Sequence, residues 1–481
     1  MTLAHIAAFS IGALVYVTVV PARWRGWTVL LLSVFAVFWL QPLSTVRNLD
    51  FMLPVGALGL TVAAWWLTRP PDTAVSRDDR ITLGVVIAVV LGLALLRDVR
   101  PEFRPTPSRP PDPLVVALGL ALVGAVALAV WKALRLARWR GLLASGIALI
   151  VVIFVLLKTE PLTIATSAWF RLQAGQDTAL AAAADFQWLG FSYIAFRLIH
   201  TLRDRQTGRL PALSLREFAS YTVFFPALTA GPIDRAERFV KDYRALPEHT
   251  AQVAPRFVVG GGRIVVGLVK KFVIADSLAL LSLNAANALE ANSTLGLWLL
   301  LYGFAFRLYF DFSGYTDIAI GIGILYGVDL PENFDRPYAR QNLTAFWQSW
   351  HITLSQWVRF YVFSPLSRAL LQRKPKPSPL LVVVAAQLVT MLVIGLWHGV
   401  TWNFALWGLW HGVGLFAHKL WSDSTRAWYQ ALQQHPLRRR AWTVIGVLLT
   451  FHFVALGWVW FALPDWETAR LTFARLFGAG W

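Results

Sequence analysis

The stretch LWHGVTWNFALWGLWHG, Leu396–Gly412, places two histidines, His398 and His411, each inside a Trp-His-Gly triplet. A third, His351, stands in FWQSWHITLSQWVR. An imidazole in apolar surroundings stays neutral, because burial disfavours its charged form, and a neutral imidazole can take a proton from a hydroxyl. Nothing else in the chain supplies a better general base. The absence of cysteine removes thiolate catalysis, disulfides and cysteine metal sites. Histidine pairs also bind zinc, but His398 and His411 stand thirteen positions apart and no carboxylate or third histidine falls at a spacing such as HExxH. No metal site is expected. In a helix starting near Trp402, Trp407 and His411 share a face, and Gly408 and Gly412 beside them leave room for another backbone or for a substrate.

Acidic residues form the second set. In FRLYFDFSGYTDIAIGIGILYGVDLPENFDRPY, Arg307 and Asp311 are four apart and can neutralise each other on one helix face, which leaves Asp317 in need of a partner. Acids in membrane segments usually face a bundle interior or an aqueous cavity, and an ion pair that only holds helices together is an equal alternative to direct chemistry. The glycines at 314, 321, 323 and 327 permit close packing, and LPENFDRPY reads as a surface turn. In LTAFWQSWHITLSQWVRFYVF, Thr344, Trp347, His351, Leu354 and Tyr361 fall on one stripe, which predicts a single interfacial amphipathic helix with His351 on its aromatic face. FFPALTAGPIDR, with Pro226, Gly231 and Pro232, suits either a re-entrant, cavity-lining backbone or an ordinary span end.

The elements that must hold these residues are membrane helices. Of 481 residues 57% are hydrophobic and 15% charged, and the mean hydropathy is +0.55, outside the range of soluble domains. Apolar runs at Ala4–Val20, Trp27–Leu43, Phe51–Leu67, Ile81–Leu96, Leu114–Val130 and Leu142–Leu157, with others further on, suggest roughly ten to twelve spans of a bilayer core about 30 Å thick. They lack the alternation of barrel strands, so the fold class is all-α and polytopic. The N-terminus has no basic n-region and is read as a retained first span rather than a signal peptide. The net charge of +18 is scattered through short loops, which fits a positive-inside bias and argues against nucleic acid. Arg23 and Arg25, then Lys132, Arg135, Arg138 and Arg140, then Arg203, Arg205 and Arg209 mark cytoplasmic loops and leave the N-terminus outside. Arg97, Arg100, Arg104 and Arg109, in the Pro-rich loop at 97–113, break that count. Bland Leu, Val and Ala helices fill 1–185 as a scaffold; polar and aromatic residues enter the apolar runs across 186–420; 421–481 reads as a C-terminal span and tail. No internal repeat is visible, which weakens an inverted-repeat transporter.

FFPALTAGPIDR, GGGR with VGLVKKFVIAD in Gly260–Asp276, DFSGYTDIAIGIG, LPENFDRPY, FWQSWHITLSQWVR and LWHGVTWNFALWGLWHG occur in this order, and together they resemble the membrane-bound O-acyltransferase family, in its alginate O-acetyltransferase branch of bacterial exopolysaccharide acetylation. The resemblance is dense over residues 186–420. It implies a helical fold around a tunnel, in which a cytoplasmic acyl donor and an acceptor from the other side meet at a histidine. It places His411 at the catalytic position and His351 at the family's other histidine, with His398, Asn403, Trp407, Asp311, Asp317, Trp347, Trp350 and Ser355 expected along the substrate path. Acyl transfer to a hydroxyl needs a base and dry surroundings; His411 would be the base, and Asn403 or a nearby indole would donate to the oxyanion. Gln348 and Ser349 replace two arginines common in the family, Arg359, Phe360 and Tyr361 replace Arg-Asp-Tyr, and FSPLSRALLQRK replaces an IPLGGNR-like run, so donor identity is where the pattern departs.

The leading expectation is an inner-membrane O-acetyltransferase acting toward an exported polysaccharide or a periplasmic acetyltransferase partner. Its donor would be acetyl-CoA or an acyl-carrier thioester, with no bound cofactor and the lipid bilayer as its surroundings. D-alanyl transfer from a carrier protein to a cell-envelope polymer is the enzymatic alternative, and a transporter or non-catalytic scaffold is the alternative of another class.

Overall fold

Every regular element among the described residues of the computed structural model is a helix, apart from one isolated antiparallel bridge between Phe334 and Trp350. The structure describes residues 1–70, 73–99, 104–134, 139–248 and 253–479; Arg100, Arg135 and Arg138 of the basic loops lie outside these. Two compact units emerge: Met1–Arg263 with Ala319–Leu330, and Ile264–Ile318 with Pro331–Trp481. This division by contacts is a different partition from the segments 1–185, 186–420 and 421–481, which rest on residue chemistry.

The first unit carries α1 (Leu3–Thr18), α2 (Arg25–Trp39), α3 (Leu49–Thr68), α4 (Arg77–Val99), α5 (Pro113–Leu134), α6 (Trp139–Lys158), α7 (Glu160–Gln173), α8 (Phe191–Gln206), α9 (Leu215–Thr222), α10 (Ala236–Ala245) and most of α11 (Val253–Leu268). The second carries α12 (Asp276–Ala279), α13 (Ala285–Glu290), residues 294–318 of α14 (Thr294–Leu325), α15 (Leu343–Trp347), α16 (Ile352–Val358), α17 (Ser364–Leu371), α18 (Pro379–His398), α19 (Trp402–Ser424), α20 (Arg426–Gln433), α21 (Pro436–Ala462) and α22 (Trp466–Leu476). Among the described residues six helices are long and apolar enough to cross a membrane: Leu49–Thr68, Arg77–Asp98, Gly141–Lys158, Thr294–Leu325, Pro379–His398 and Pro436–Ala462. Leu3–Thr18 and Pro113–Ala129 are shorter apolar helices. On helix length and hydropathy among the described residues, six of the roughly ten to twelve spans read from apolar runs meet that standard.

The α18–α19 hairpin is built by local signals. Ser378 caps α18 by accepting from the Leu381 N–H, Pro379 occupies its first turn, and the helix stops at Gly399. Thr401 then caps α19 by accepting from the Phe404 N–H. A Cβ on Gly408 would lie 2.5 Å from the Met391 carbonyl oxygen, and one on Gly412 would lie 2.9 Å from Leu388 Cδ2. Of the two occupants considered for that glycine face, the one present is the α18 backbone.

Three local expectations are corrected. Arg307 does not pair with Asp311; it donates to Ser282 Oγ, while Lys271 pairs with Asp311 and Lys270 with Asp317 at 2.6 Å. Both lysines lie on a π-helical stretch, Val269–Ala275, and reach acids six positions apart on α14. LPENFDRPY is a surface turn only in part: Glu332, Asp335 and Arg336 are exposed, but Asn333 within it is fully buried. The predicted single helix over 343–363 is broken: α15 ends at Trp347, His351 takes a left-handed backbone at φ 43°, and α16 begins at Ile352. The proline-bearing FFPALTAGPIDR contains a short 3-10 turn at Phe225–Ala227, and most of its residues are buried, with Arg235 exposed at its end.

Candidate active site

Placement of His351 begins with the Phe334–Trp350 bridge. The Asp335 N–H donates to the Ser349 carbonyl at 3.0 Å and the Ile352 N–H to the Asn333 carbonyl at 3.0 Å. This brings the Asn333 side chain onto the turn that carries His351. Asn333 Oδ1 accepts from the Thr353 N–H at 3.2 Å and from the Thr353 hydroxyl at 2.8 Å, and it lies 3.1 Å from His351 Nδ1. A backbone N–H can only donate, so the atom facing it is the amide oxygen, and His351 Nδ1 must carry the hydrogen of that bond. His351 Nε2 is then a bare lone pair, buried and without a partner. The left-handed backbone at His351 is a strained conformation of the kind that persists where surrounding contacts enforce it.

His411 sits in a different setting. It is 0% exposed on the face of α19 shared with Trp407, and neither ring nitrogen has a hydrogen-bond partner. The rings of Trp347 and Trp407 lie 5.2 and 5.0 Å from its centroid, and Phe346, Phe453 and Trp458 complete the surround. The Trp347 and Trp407 indole N–H groups are also buried and unpartnered, whereas those of Trp410 and Trp458 donate to the Phe453 carbonyl and the Tyr338 hydroxyl. Buried polar atoms are normally paired, so four unpaired ones on three adjoining rings mark a place where a polar ligand fits. Gly457 on α21 opens room there: a Cβ at that position would stand 3.1 Å from His411 Nε2.

The remaining expected residues divide. Asn403 is buried, its amide nitrogen donates to the Leu463 carbonyl at 2.9 Å, and its Oδ1 is unpartnered. One of its two amide N–H groups is therefore used, and the other N–H and the carbonyl oxygen stay available beside the indoles. His398 is half-buried between the rings of Trp397, Phe404, Trp407 and Phe461. No ring contact joins His351 to His411 among the described residues; the rings run from His351 through Trp397, His398 and Trp407 to His411, with centroid steps of 6.0, 4.4, 5.5 and 5.0 Å. Trp350 packs on Phe334, Tyr338, Phe346 and Trp458, and Ser355 donates back to the Trp350 carbonyl. Asp311 and Asp317 are engaged by lysines and are absent from the rings around either histidine. Sequence reasoning missed Asn333, Lys270, Lys271 and Gly457.

Among the described residues one group of three has ligand atoms close enough to hold a metal ion, His200, Asp204 and Glu237, all within 4.8 Å of one another. His200 and Asp204 are engaged, while Glu237 Oε2 is buried without a hydrogen-bond partner. His200 Nε2 accepts from the Ala236 N–H, so Nδ1 carries the hydrogen toward Asp204 at 3.3 Å, and Arg209 and Arg235 hold the Asp204 carboxylate.

The model of the MBOAT, membrane-bound O-acyltransferase family, matches residues 138–457. The chain is 31% identical to the teichoic acid D-alanyltransferase of Streptococcus thermophilus over 57% of its own length and 68% of that protein. It is 34% identical to the probable alginate O-acetylase of Azotobacter vinelandii over 61% of its length and 54% of the relative. With the peptidoglycan O-acetyltransferase of Helicobacter pylori it shares 34% identity over 58% and 51%. It thus spans about half the length of these two acetyl-transferring relatives. The matched residues include His351, the α18–α19 hairpin with His411, and Gly457, and on that extent of match the chain belongs to the membrane-bound O-acyltransferase family and is a membrane acyltransferase.

Proposed function

We propose that the protein moves an acetyl group from a cytoplasmic thioester, acetyl-CoA or an acyl-carrier thioester, toward hydroxyls of an exported polysaccharide, directly or through a periplasmic acetyltransferase partner. It would do so in the bacterial inner membrane with its N-terminus outside. The observation that carries this reading is the set of four buried, unpartnered polar atoms on His411, Trp347 and Trp407. His411 takes the proton of the acceptor hydroxyl as its oxygen attacks the thioester carbonyl. The Trp347 and Trp407 N–H groups receive the charge that develops on the carbonyl oxygen. Collapse breaks the C–S bond, the thiolate recovers the proton from His411, and the ester is formed. Asn403 Oδ1 can accept from the incoming hydroxyl, and the aromatic surround excludes the water that would hydrolyse the thioester. His351 supplies a second base of fixed tautomer, Nε2 bare and Nδ1 held by Asn333.

The acetyl reading leans on relatives named for alginate and peptidoglycan O-acetylation. D-alanyl transfer is the second reading, favoured by a D-alanyltransferase relative of which the match covers 68%. The test is acylation of the envelope polymer in strains carrying His411→Ala, His351→Ala or His398→Ala. His411→Ala is expected to abolish transfer while the protein still inserts; normal transfer in that strain removes His411 as the base, and activity surviving all three changes removes the histidine mechanism. Mass analysis of the acylated polymer separates acetyl from D-alanyl.

A further inference from the structure

A cleft of about 270 Å³ in the first unit, remote in sequence from the histidines, is lined among others by Phe154, Lys158, Gln187, Trp188, Gly190 and Ser192. Lys158 is the last residue of the span Gly141–Lys158, which puts its ammonium at the level where hydrocarbon gives way to headgroups. It is half-buried, its Nζ lies 5.9 Å from the Phe154 ring centroid, and no carboxylate among the described residues pairs with it. No acidic residue lines the cleft. The Trp188 indole N–H is buried there without a partner. Gly190, left-handed at φ 72°, starts α8 with no side chain capping its first turn, and the first residues of that helix line the same cleft. An ammonium, an indole donor and the start of a helix line one cleft; the Phe191 N–H is taken by the Trp188 carbonyl and that of Tyr193 by the Gly190 carbonyl, but neither the ammonium nor the indole has an acceptor among the described residues. Gathering uncompensated positive charge is unfavourable unless an anion completes the site.

We propose that this cleft binds the phosphate of an anionic membrane lipid. Lys158 pairs with the phosphate, and the Trp188 N–H and the Ser192 hydroxyl donate to its oxygens. Phe154 and Leu157 on the membrane helix, with Phe186 and Phe191, give the glycerol and first methylenes an apolar wall that a free phosphate would not use. The volume admits a headgroup and not a whole lipid, so the acyl chains stay on the bilayer side.

The test uses the full chain, delipidated in neutral detergent, with binding read by native mass spectrometry and by melting temperature. The probes are phosphatidylglycerol, phosphatidylcholine and glycerol 3-phosphate. Phosphatidylglycerol is expected to bind one molecule per chain more tightly than the other two, and Lys158→Gln to weaken that event about tenfold. Gln187 is exposed on the rim, so Gln187→Glu and Gln187→Lys test the site without burden on folding: the first should weaken and the second strengthen phosphatidylglycerol binding. Insensitivity to both Gln187 changes overturns the proposal, even where Lys158→Gln fails to fold. Phosphatidylcholine matching phosphatidylglycerol overturns the need for net charge, and glycerol 3-phosphate matching it overturns the lipid as ligand. Acyl transfer is not the readout, so the result is independent of the proposed function.

Discussion

His200 and His411 are both buried imidazoles, at 1% and 0% exposure, yet their surroundings are opposite. One nitrogen of His200 accepts from the Ala236 N–H and the other faces Asp204, itself clamped by two arginines. His411 has five aromatic rings around it and no partner on either nitrogen. Burial alone therefore does not separate a structural histidine from a chemical one; whether the ring nitrogens themselves have partners does. A satisfied network holds a fold together and resists change, whereas an unsatisfied group inside a well-packed shell costs free energy that a ligand recovers. His351 falls between them: one nitrogen is held by Asn333 and the other left bare, as suits a base whose tautomer matters.

The sharpest way to break this contrast is the same substitution at both places. Glutamine keeps hydrogen-bonding capacity but cannot act as a base near neutral pH. His411→Gln should lower transfer about a thousandfold with little change in melting temperature. His200→Gln should lower melting temperature while activity per folded molecule stays within about twofold. Purified protein in detergent, assayed for both quantities, decides; comparable activity losses at the two positions would erase the distinction.

Gly457 offers the next largest effect. Alanine in a helix interior is ordinarily stabilising over glycine by about 1 kcal/mol, because it restricts the unfolded chain. Here the added methyl would stand 3.1 Å from His411 Nε2 and the same distance from Trp410 Cδ1, closer than unstrained carbon contacts. Gly457→Val should cost roughly a hundredfold in kcat by filling the approach to Nε2, with alanine intermediate. Full activity in the valine variant would show that the acceptor reaches His411 from another side. Smaller still, Trp347→Phe and Trp407→Phe keep an aromatic ring but delete the N–H together with the pyrrole half of the indole. Each should lower kcat about 50-fold and leave KM within about twofold, less than the loss of a sole oxyanion donor because the other indole remains. If neither moves kcat, the indoles only wall the site.

What could be read from the chain beforehand follows the distance over which each feature is decided. The α18–α19 hairpin was legible because Ser378, Pro379, Gly399 and Thr401 act within their own turns. The break at His351 was not, since it depends on Asn333, eighteen residues away, and the local stripe by itself reads as one continuous helix. Asp317 was rightly left needing a partner, but that partner, Lys270, lies 47 residues away on a π-helical stretch whose phase a 3.6-residue period misplaces. The bond from Asn403 to the Leu463 carbonyl, 60 residues on, is equally invisible in the local sequence; it takes one of the two amide N–H groups and leaves the other. Gly457 carried no signal at all, as one small residue in a long apolar helix is ordinary until its neighbour is known.

The smallest effect concerns pH, and it falls on the structural member of the pair. His200 lies beyond the six spans, and burial pushes its pKa down to about 4; Asp204 opposes this, while Arg235 and Arg209 add to it. Glu237 also faces the ring, at 3.9 Å from Nε2. In the unfolded chain the same imidazole titrates near its ordinary value of 6.5. Between those two values the unfolded state binds a proton that the folded state refuses, so stability is full above about 6.5 and declines as pH falls toward 4. The expected outcome is a fall in unfolding free energy across that window, partly flattened by His200→Gln, because glutamine binds no proton in either state. Denaturant unfolding in detergent at several pH values measures it. An unchanged slope in the variant would mean that His200 does not carry the proton linkage, and the satisfied network would then be pH-silent as well as catalytically silent.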